Sequence, residues 1–135
     1  GDYMKFLQML LNRGKWHDTQ ILEHQSVEMM ITNQIGDLNM RPLITALPSS
    51  TNNVNFFPNM EKKWGYGFMI NTEDVPNGRR AGSLAWAGLG NTYFWMDKTE
   101  KIAAIFMTQI LPFADDDVLD LFSQFEEGVY SNLLK

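Results

Sequence analysis

Apolar positions along the 135-residue chain change period once, near its middle, and return to a helical period at the end. At the N-terminus Tyr3, Phe6, Leu7, Leu10 and Leu11 recur three and four residues apart, the stripe of an amphipathic helix. Asp2 is placed to cap its start and Gly14 to follow its end. A second helical stripe begins after Leu22 with Val27, Met30 and Ile31, runs on to Gln34 and Ile35, and is stopped by Gly36. Residues 36–63 carry Pro42, Pro48, Pro58 and the polar run Ser49 to Asn53, and read as one long loop. Leu43, Ile44, Leu47, Phe56 and Phe57 are expected to pin that loop to an apolar surface at two places.

From Trp64 the period becomes two. Trp64, Tyr66, Phe68 and Ile70 are expected on one face of a first strand. Further strands are predicted over 80–87, 92–96 and 102–109, with turns at Pro76-Asn77-Gly78, Gly88-Leu89-Gly90-Asn91 and Asp97 to Glu100. The last strand is apolar on both faces, so both must be covered. The connections are too short for crossover helices, which makes the pairing antiparallel. Beyond Pro112, Asp115, Asp116 and Asp117 open a final helix, where the helix dipole favours each exposed carboxylate by about 0.3–1 kcal/mol. Val118, Phe122, Phe125, Val129 and Leu133 form its expected buried stripe, with Leu121 beside it. The predicted fold is α+β: a meander of about four antiparallel strands flanked by helices. Its parts are two helices (1–35), the loop (36–63), the strands (64–110) and a C-terminal helix (115–134), forming a single domain or a fragment of one.

Composition narrows the function. A chain that is 44% hydrophobic and 20% charged is neither disordered nor fibrous. The net charge is −5, and the two adjacent basic pairs, Lys62-Lys63 and Arg79-Arg80, are too little for a nucleic-acid surface. No apolar run reaches 18 residues, so no membrane-spanning helix is expected. There is no cysteine, which removes thiolate chemistry and leaves the compartment, bacterial cytoplasm or periplasm, open. The sequence starts at Gly1 without an initiator Met and enters a helix at once, so we expect it to begin within a longer protein. No metal is expected: His17 and His24 are seven apart, and the Asp115–Asp117 run lacks the alternation of a calcium loop. No Gly-rich phosphate loop opens a helix, and no cofactor is expected.

Nucleophilic catalysis by serine needs a base within reach. No Gly-x-Ser-x-Gly elbow is present, and none of Ser26, Ser49, Ser50, Ser83, Ser123 or Ser131 is followed three residues later by Lys.

Four stretches are nevertheless distinctive: Trp64-Gly-Tyr-Gly-Phe-Met-Ile-Asn, Gly82-Ser-Leu-Ala-Trp-Ala-Gly, Thr92-Tyr-Phe-Trp-Met-Asp and Ile102-Ala-Ala-Ile-Phe-Met-Thr-Gln. Together they resemble the C-terminal part of the serine beta-lactamase-like hydrolases, above all class C beta-lactamases and family VIII carboxylesterases. The opening Gly1-Asp-Tyr-Met-Lys-Phe-Leu-Gln-Met-Leu-Leu-Asn-Arg-Gly resembles the helix that follows their second motif. The resemblance is weakest over 37–63. It implies three motifs meeting at one site: Ser-x-x-Lys, Tyr-x-Asn or Tyr-x-Ser, and Lys-Thr-Gly on a strand. Trp86-Ala87-Gly88 stands where the third belongs, and the esterase branch often has Trp in place of that Lys. The resemblance implies that the Leu89 N–H is one of two oxyanion donors, a kind of group worth about 2.7–4 kcal/mol each.

The first two motifs are missing from this chain. Tyr130-Ser131-Asn132 spells the second, but it follows the third motif, against the family's order, and we read it as a coincidence of spelling. Trp86 in place of Lys removes the cation that would hold a beta-lactam carboxylate, which favours ester or amide substrates. The expected function is therefore the C-terminal part of a serine hydrolase that acts on a small ester or amide, inactive alone. The rival reading is a non-enzymatic sheet-and-helix binding module. Partners expected on this reading are the N-terminal part of the parent or a second copy.

Overall fold

The computed structural model describes residues 1–133. Asp2–Leu11 form α1, Lys15–Trp16 and Thr19–Gln20 a small hairpin (β1, β2), and His24–Ile31 form α2. Lys62–Trp64, Met69–Asn71, Leu84–Gly88, Thr92–Asp97 and Ile102–Phe106 are β3 to β7, and Asp116–Leu133 is α3. Strands β3 to β7 form one five-stranded antiparallel meander in chain order. The α+β class and the meander agree with the reading of the sequence. Leu134, the last residue of the expected helix, lies outside the described residues.

Alternation sorts the sheet's side chains into two cores. Ile70, Leu84, Phe94 and Met96 meet Leu7 and Leu10 of α1 and Val27 and Ile31 of α2 on one face. Met69, Ala85, Trp95 and Ala104 meet Tyr130, Phe122 and Val129 of α3 on the other, with Phe56 and Phe57 of the long loop. The apolar-both-sides β7 is thereby covered twice: Ala103 and Ile105 join the first core, Ile102 and Ala104 the second.

Several boundaries differ from expectation, each for a physical reason. The strand expected from Trp64 to Ile70 is two strands, because Gly65 to Phe68 make a turn with Gly67 at φ +97°. That adds the fifth strand, leaves Tyr66 exposed, and splits the expected face: Trp64 joins the core on the α3 side, while Phe68 and Ile70 join the core on the α1 and α2 side. Gly65 lies so close to α2 that a Cβ there would fall 2.2 Å from the Met30 carbonyl oxygen. Helix α2 stops at Ile31, short of Gly36: Thr32 Oγ1 donates to the Glu28 carbonyl, and the Asn33 side chain takes up the Ile35 N–H. Asp2 is the first residue of α1 rather than its cap, and its carboxylate accepts from Lys5.

Strand β5 begins at Leu84 rather than Arg80, since Arg79 to Ser83 turn away with Gly82 at φ +78°. Ile44 and Leu47 are exposed, so the loop is held instead by Phe56 and Phe57 and by polar contacts. Lys62 is buried and donates to Asn55 Oδ1 and to the Phe57 and Met60 carbonyls.

The N-terminus of α3 is capped by Asp115, whose carboxylate accepts the Val118 N–H at 3.1 Å. The buried side of α3 is not the plain apolar stripe. Val118, Glu126 and Tyr130 are buried, Phe122 and Val129 half-buried, and Phe125 and Leu133 exposed. Two polar anchors set this rotation. Glu126 takes Arg79 Nε at 2.8 Å and Nη2 at 2.5 Å, with the Arg79 N–H also on Oε1 at 2.9 Å. The guanidinium lies over the rings of Trp95, Phe57 and Phe122, 5.0–5.7 Å from their centroids. Tyr130 donates to Asp97 at 2.8 Å and accepts from Trp95 Nε1 at 3.2 Å.

Candidate functional site

The residues singled out by resemblance occupy the end of β5 and the turn after it. Trp86, Ala87 and Gly88 pair with Phe94, Tyr93 and Thr92 of β6, and Leu89 lies beyond the last paired position. Trp86 is half-buried. Its ring meets Trp64 edge-on at 4.5 Å and Phe56 at 6.4 Å, so strand β3 and the long loop both buttress it. An apolar cavity of about 20 Å³ lies among Phe56, Phe57, Trp86, Ala87 and Tyr93. Gly88 and Leu89 are exposed, and a Cβ at Gly88 would meet no atom closer than 3.9 Å.

The turn itself is clamped from below. Asn91 is fully buried, with φ +55°, a conformation that Asn tolerates better than most residues. Its Nδ2 donates to the Ile110 carbonyl at 2.9 Å and the Pro112 carbonyl at 2.7 Å, while its Oδ1 accepts from Tyr93 at 2.7 Å. Thr108 Oγ1 reaches the Gly90 carbonyl at 2.6 Å. The Leu89 N–H, between these anchors, donates to no acceptor among the described residues. An unpaired backbone donor held by a rigid turn beside an apolar wall can stabilise charge that develops on a carbonyl oxygen.

The sequence reading missed the clamp. A buried Asn after Gly90 was a legible turn signal, but its partners, 19 and 21 residues downstream, were not.

Ionisable groups here are structural. Burial pushes the Tyr93 hydroxyl up to about 12, so it stays protonated and donates to Asn91. Burial and the neighbouring Asp97 raise Tyr130, whose proton is committed to that carboxylate. Asn132 Nδ2 and Ser131 Oγ bond back to the Gly128 carbonyl, so the Tyr-x-Asn spelling forms no joint site. Among the described residues Ser83 Oγ is buried without a hydrogen-bond partner. Among the described residues no group of three His, Asp or Glu could hold a metal ion, and no helix is long and apolar enough to cross a membrane.

The chain is 28% identical to an ML-236A carboxylate methylbutanoyltransferase of Penicillium citrinum over 97% of its own length and 32% of that protein. It is 27% identical to a monacolin J acid methylbutanoyltransferase of Aspergillus terreus with the same coverage. The chain thus spans about a third of the length of these relatives. The unliganded simvastatin synthase of Aspergillus terreus superposes with a TM-score of 0.75 at 24% identity, over 98% of this chain and 33% of that one, a likeness of fold. The beta-lactamase family model matches residues 1–128, and the chain belongs to that family.

Proposed function

We propose that this chain forms one wall of the cleft of a serine-dependent acyl-transfer enzyme, with Trp86, Ala87 and Gly88 lining it and the Leu89 N–H as one oxyanion donor. The rest of the parent protein would supply the Ser-x-x-Lys and Tyr-x-Asn groups. There the serine hydroxyl attacks the carbonyl of a small ester or amide, its proton passing to the base. The oxyanion collapses, the alcohol or amine leaves with a proton, and water or an acceptor alcohol then attacks the acyl-serine. The relatives are named as acyltransferases, which supports an acceptor other than water. The chain by itself is inactive on this reading, since donors without a nucleophile leave little catalysis.

The observation that carries the reading is the unpartnered Leu89 N–H on a turn clamped by Asn91 and Thr108. A Cβ at Gly88 would meet no atom closer than 3.9 Å, and the branched side chain of Gly88→Val in the full-length enzyme is expected to shift the Leu89 N–H away from the oxyanion. We expect kcat to fall by roughly 10²–10³-fold with a smaller change in KM. A rise in KM with kcat intact would reduce Trp86-Ala87-Gly88 to a strand end.

A further inference from the structure

Trp86 has an aromatic neighbour in the stretch 37–63, where the likeness to the family's pattern is weakest. Phe56 stands edge-on to both Trp86 and Tyr93, with ring centroids 6.4 Å apart in each case. The backbone that aims it there is unusual. Phe57 has φ +51°, a left-handed conformation rare for a bulky side chain, and residues so held concentrate where ligands are clamped. Two cations hold the segment. The buried Lys62 ammonium donates to the Asn55 side chain at 3.2 Å and to the Phe57 and Met60 carbonyls at 3.0 and 3.1 Å. The Arg79 guanidinium, itself fixed by Glu126, lies 5.5 Å from the centre of the Phe57 ring. Successive residues thus face different partners: Phe57 meets Arg79, and Phe56 meets Trp86.

We propose that Phe56 sets the size of the apolar group that the cleft accepts beside Trp86. On the acyl-transfer reading, on which this rests, the substrate is then an ester whose group on that side is short. Phe56, Trp86 and Ala87 are each half-buried, so they present surface outward as well as to the core. The apolar cavity that they share with Phe57 and Tyr93 measures about 20 Å³, room for about one water and for no alkyl chain. Removing the Phe56 ring would enlarge it to a void on the order of 100 Å³, comparable with engineered apolar cavities that stay dry and bind benzene. Trp64 backs Trp86 edge-on at 4.5 Å, which resists a swing of the indole into that space. The Lys62 and Arg79 anchors hold the backbone of 55–60, so truncating the ring deepens the wall instead of collapsing it. The group so measured belongs to the acyl or to the alcohol half of the ester, and two substrate series separate these.

The test is a chain-length profile of the full-length enzyme. One series varies the acyl half: p-nitrophenyl acetate, butyrate and octanoate. The other varies the alcohol half: methyl, butyl and octyl acetate. In the wild-type enzyme kcat/KM should fall with chain length in one series. In that series Phe56→Ala should raise the ratio of the longest to the shortest ester at least about tenfold, and Phe56→Trp should lower it. A ring that served only the fold would change every ester alike. Circular dichroism checks the fold, and Phe56→Leu, with its smaller void, replaces Phe56→Ala if that variant unfolds. Unchanged ratios in both series, or a shift of the same sign in the smaller and the larger variant, would overturn the proposal while leaving acyl transfer intact. A wild-type enzyme that turns over no ester would overturn the acyl-transfer reading and this proposal with it.

Discussion

The two faces of the sheet are held in different ways. On the side of α1 and α2 the contacts are apolar throughout: Leu7, Leu10, Val27 and Ile31 against Leu84, Phe94 and Met96. On the side of α3 the aromatic layer encloses a buried ion pair, Arg79–Glu126, and a hydrogen-bonded chain from Trp95 through Tyr130 to Asp97. Apolar packing rewards burial with little regard to angle. A bidentate pair and a chain of hydrogen bonds accept one orientation and penalise the others. The first face therefore tolerates adjustment, whereas the second specifies where α3 lies. Its orientation in turn fixes the 74–82 loop through Arg79, and Gly78 passes so close that a Cβ would lie 2.6 Å from Glu126 Oε1.

The largest expected effect comes from breaking the ion pair. Glu126→Ala should cost about 3–5 kcal/mol, because it leaves the Arg79 guanidinium buried without its partner. Replacing both residues together, Arg79→Met with Glu126→Leu, should recover most of that loss. On the apolar face Leu7→Ala should cost about 2–5 kcal/mol through its cavity, with no equivalent rescue by changing a single partner. Urea midpoints for the four proteins decide the matter. A double variant no more stable than Glu126→Ala would erase the distinction between the faces.

A smaller effect is expected at Asp97. Burial pushes its carboxyl up, but the N–H groups of Arg80, Glu100 and Thr99 and the Tyr130 hydroxyl outweigh that and hold it below its ordinary value. A group whose folded pKa is depressed stabilises above its unfolded pKa of about 3.9, and that contribution is lost as pH falls through the folded value. Stability should therefore decline on acidification below about pH 4, and Asp97→Asn should flatten that decline. Tyr130→Phe should cost about 1–3 kcal/mol at neutral pH by removing one donor from the carboxylate. Leu7→Ala should leave the acid limb unchanged. An acid limb unaltered in Asp97→Asn would assign it to other carboxylates.

The smallest and most condition-dependent effect concerns the sheet's edge rather than its faces. Among the described residues strand β7 is paired with β6 alone, while Met107 and Leu111 beyond it are exposed. We propose that a second copy, or the N-terminal part of a longer parent, pairs with this edge. Sedimentation of the 135-residue chain at micromolar concentration should show association, and Met107→Lys, at an exposed position just beyond β7, should weaken it. A monomer at all concentrations would speak against the edge as a pairing site.

Much of this was legible before any coordinates. The α1 stripe of Phe6, Leu7, Leu10 and Leu11, the alternation of β6 and the two apolar faces of β7 each follow from side-chain period. The position of Trp86-Ala87-Gly88-Leu89 at a strand end before a turn was readable for the same reason. By contrast, the Gly65–Gly67 turn was hidden inside a run whose alternation imitates one strand, because glycine is silent in a hydrophobic pattern.

The sequence by itself determined the three helices, the antiparallel meander and the covering of β7 on both sides, since these depend on local period and connection length, but not the β1–β2 hairpin or the fifth strand. The tertiary structure alone decided the rotation of α3 and the clamp of Asn91 on residues 110 and 112. These join positions between 19 and 47 residues apart. Polar partnership at such separation leaves no periodic trace, because one residue makes the contact and its neighbours along the chain do not repeat it.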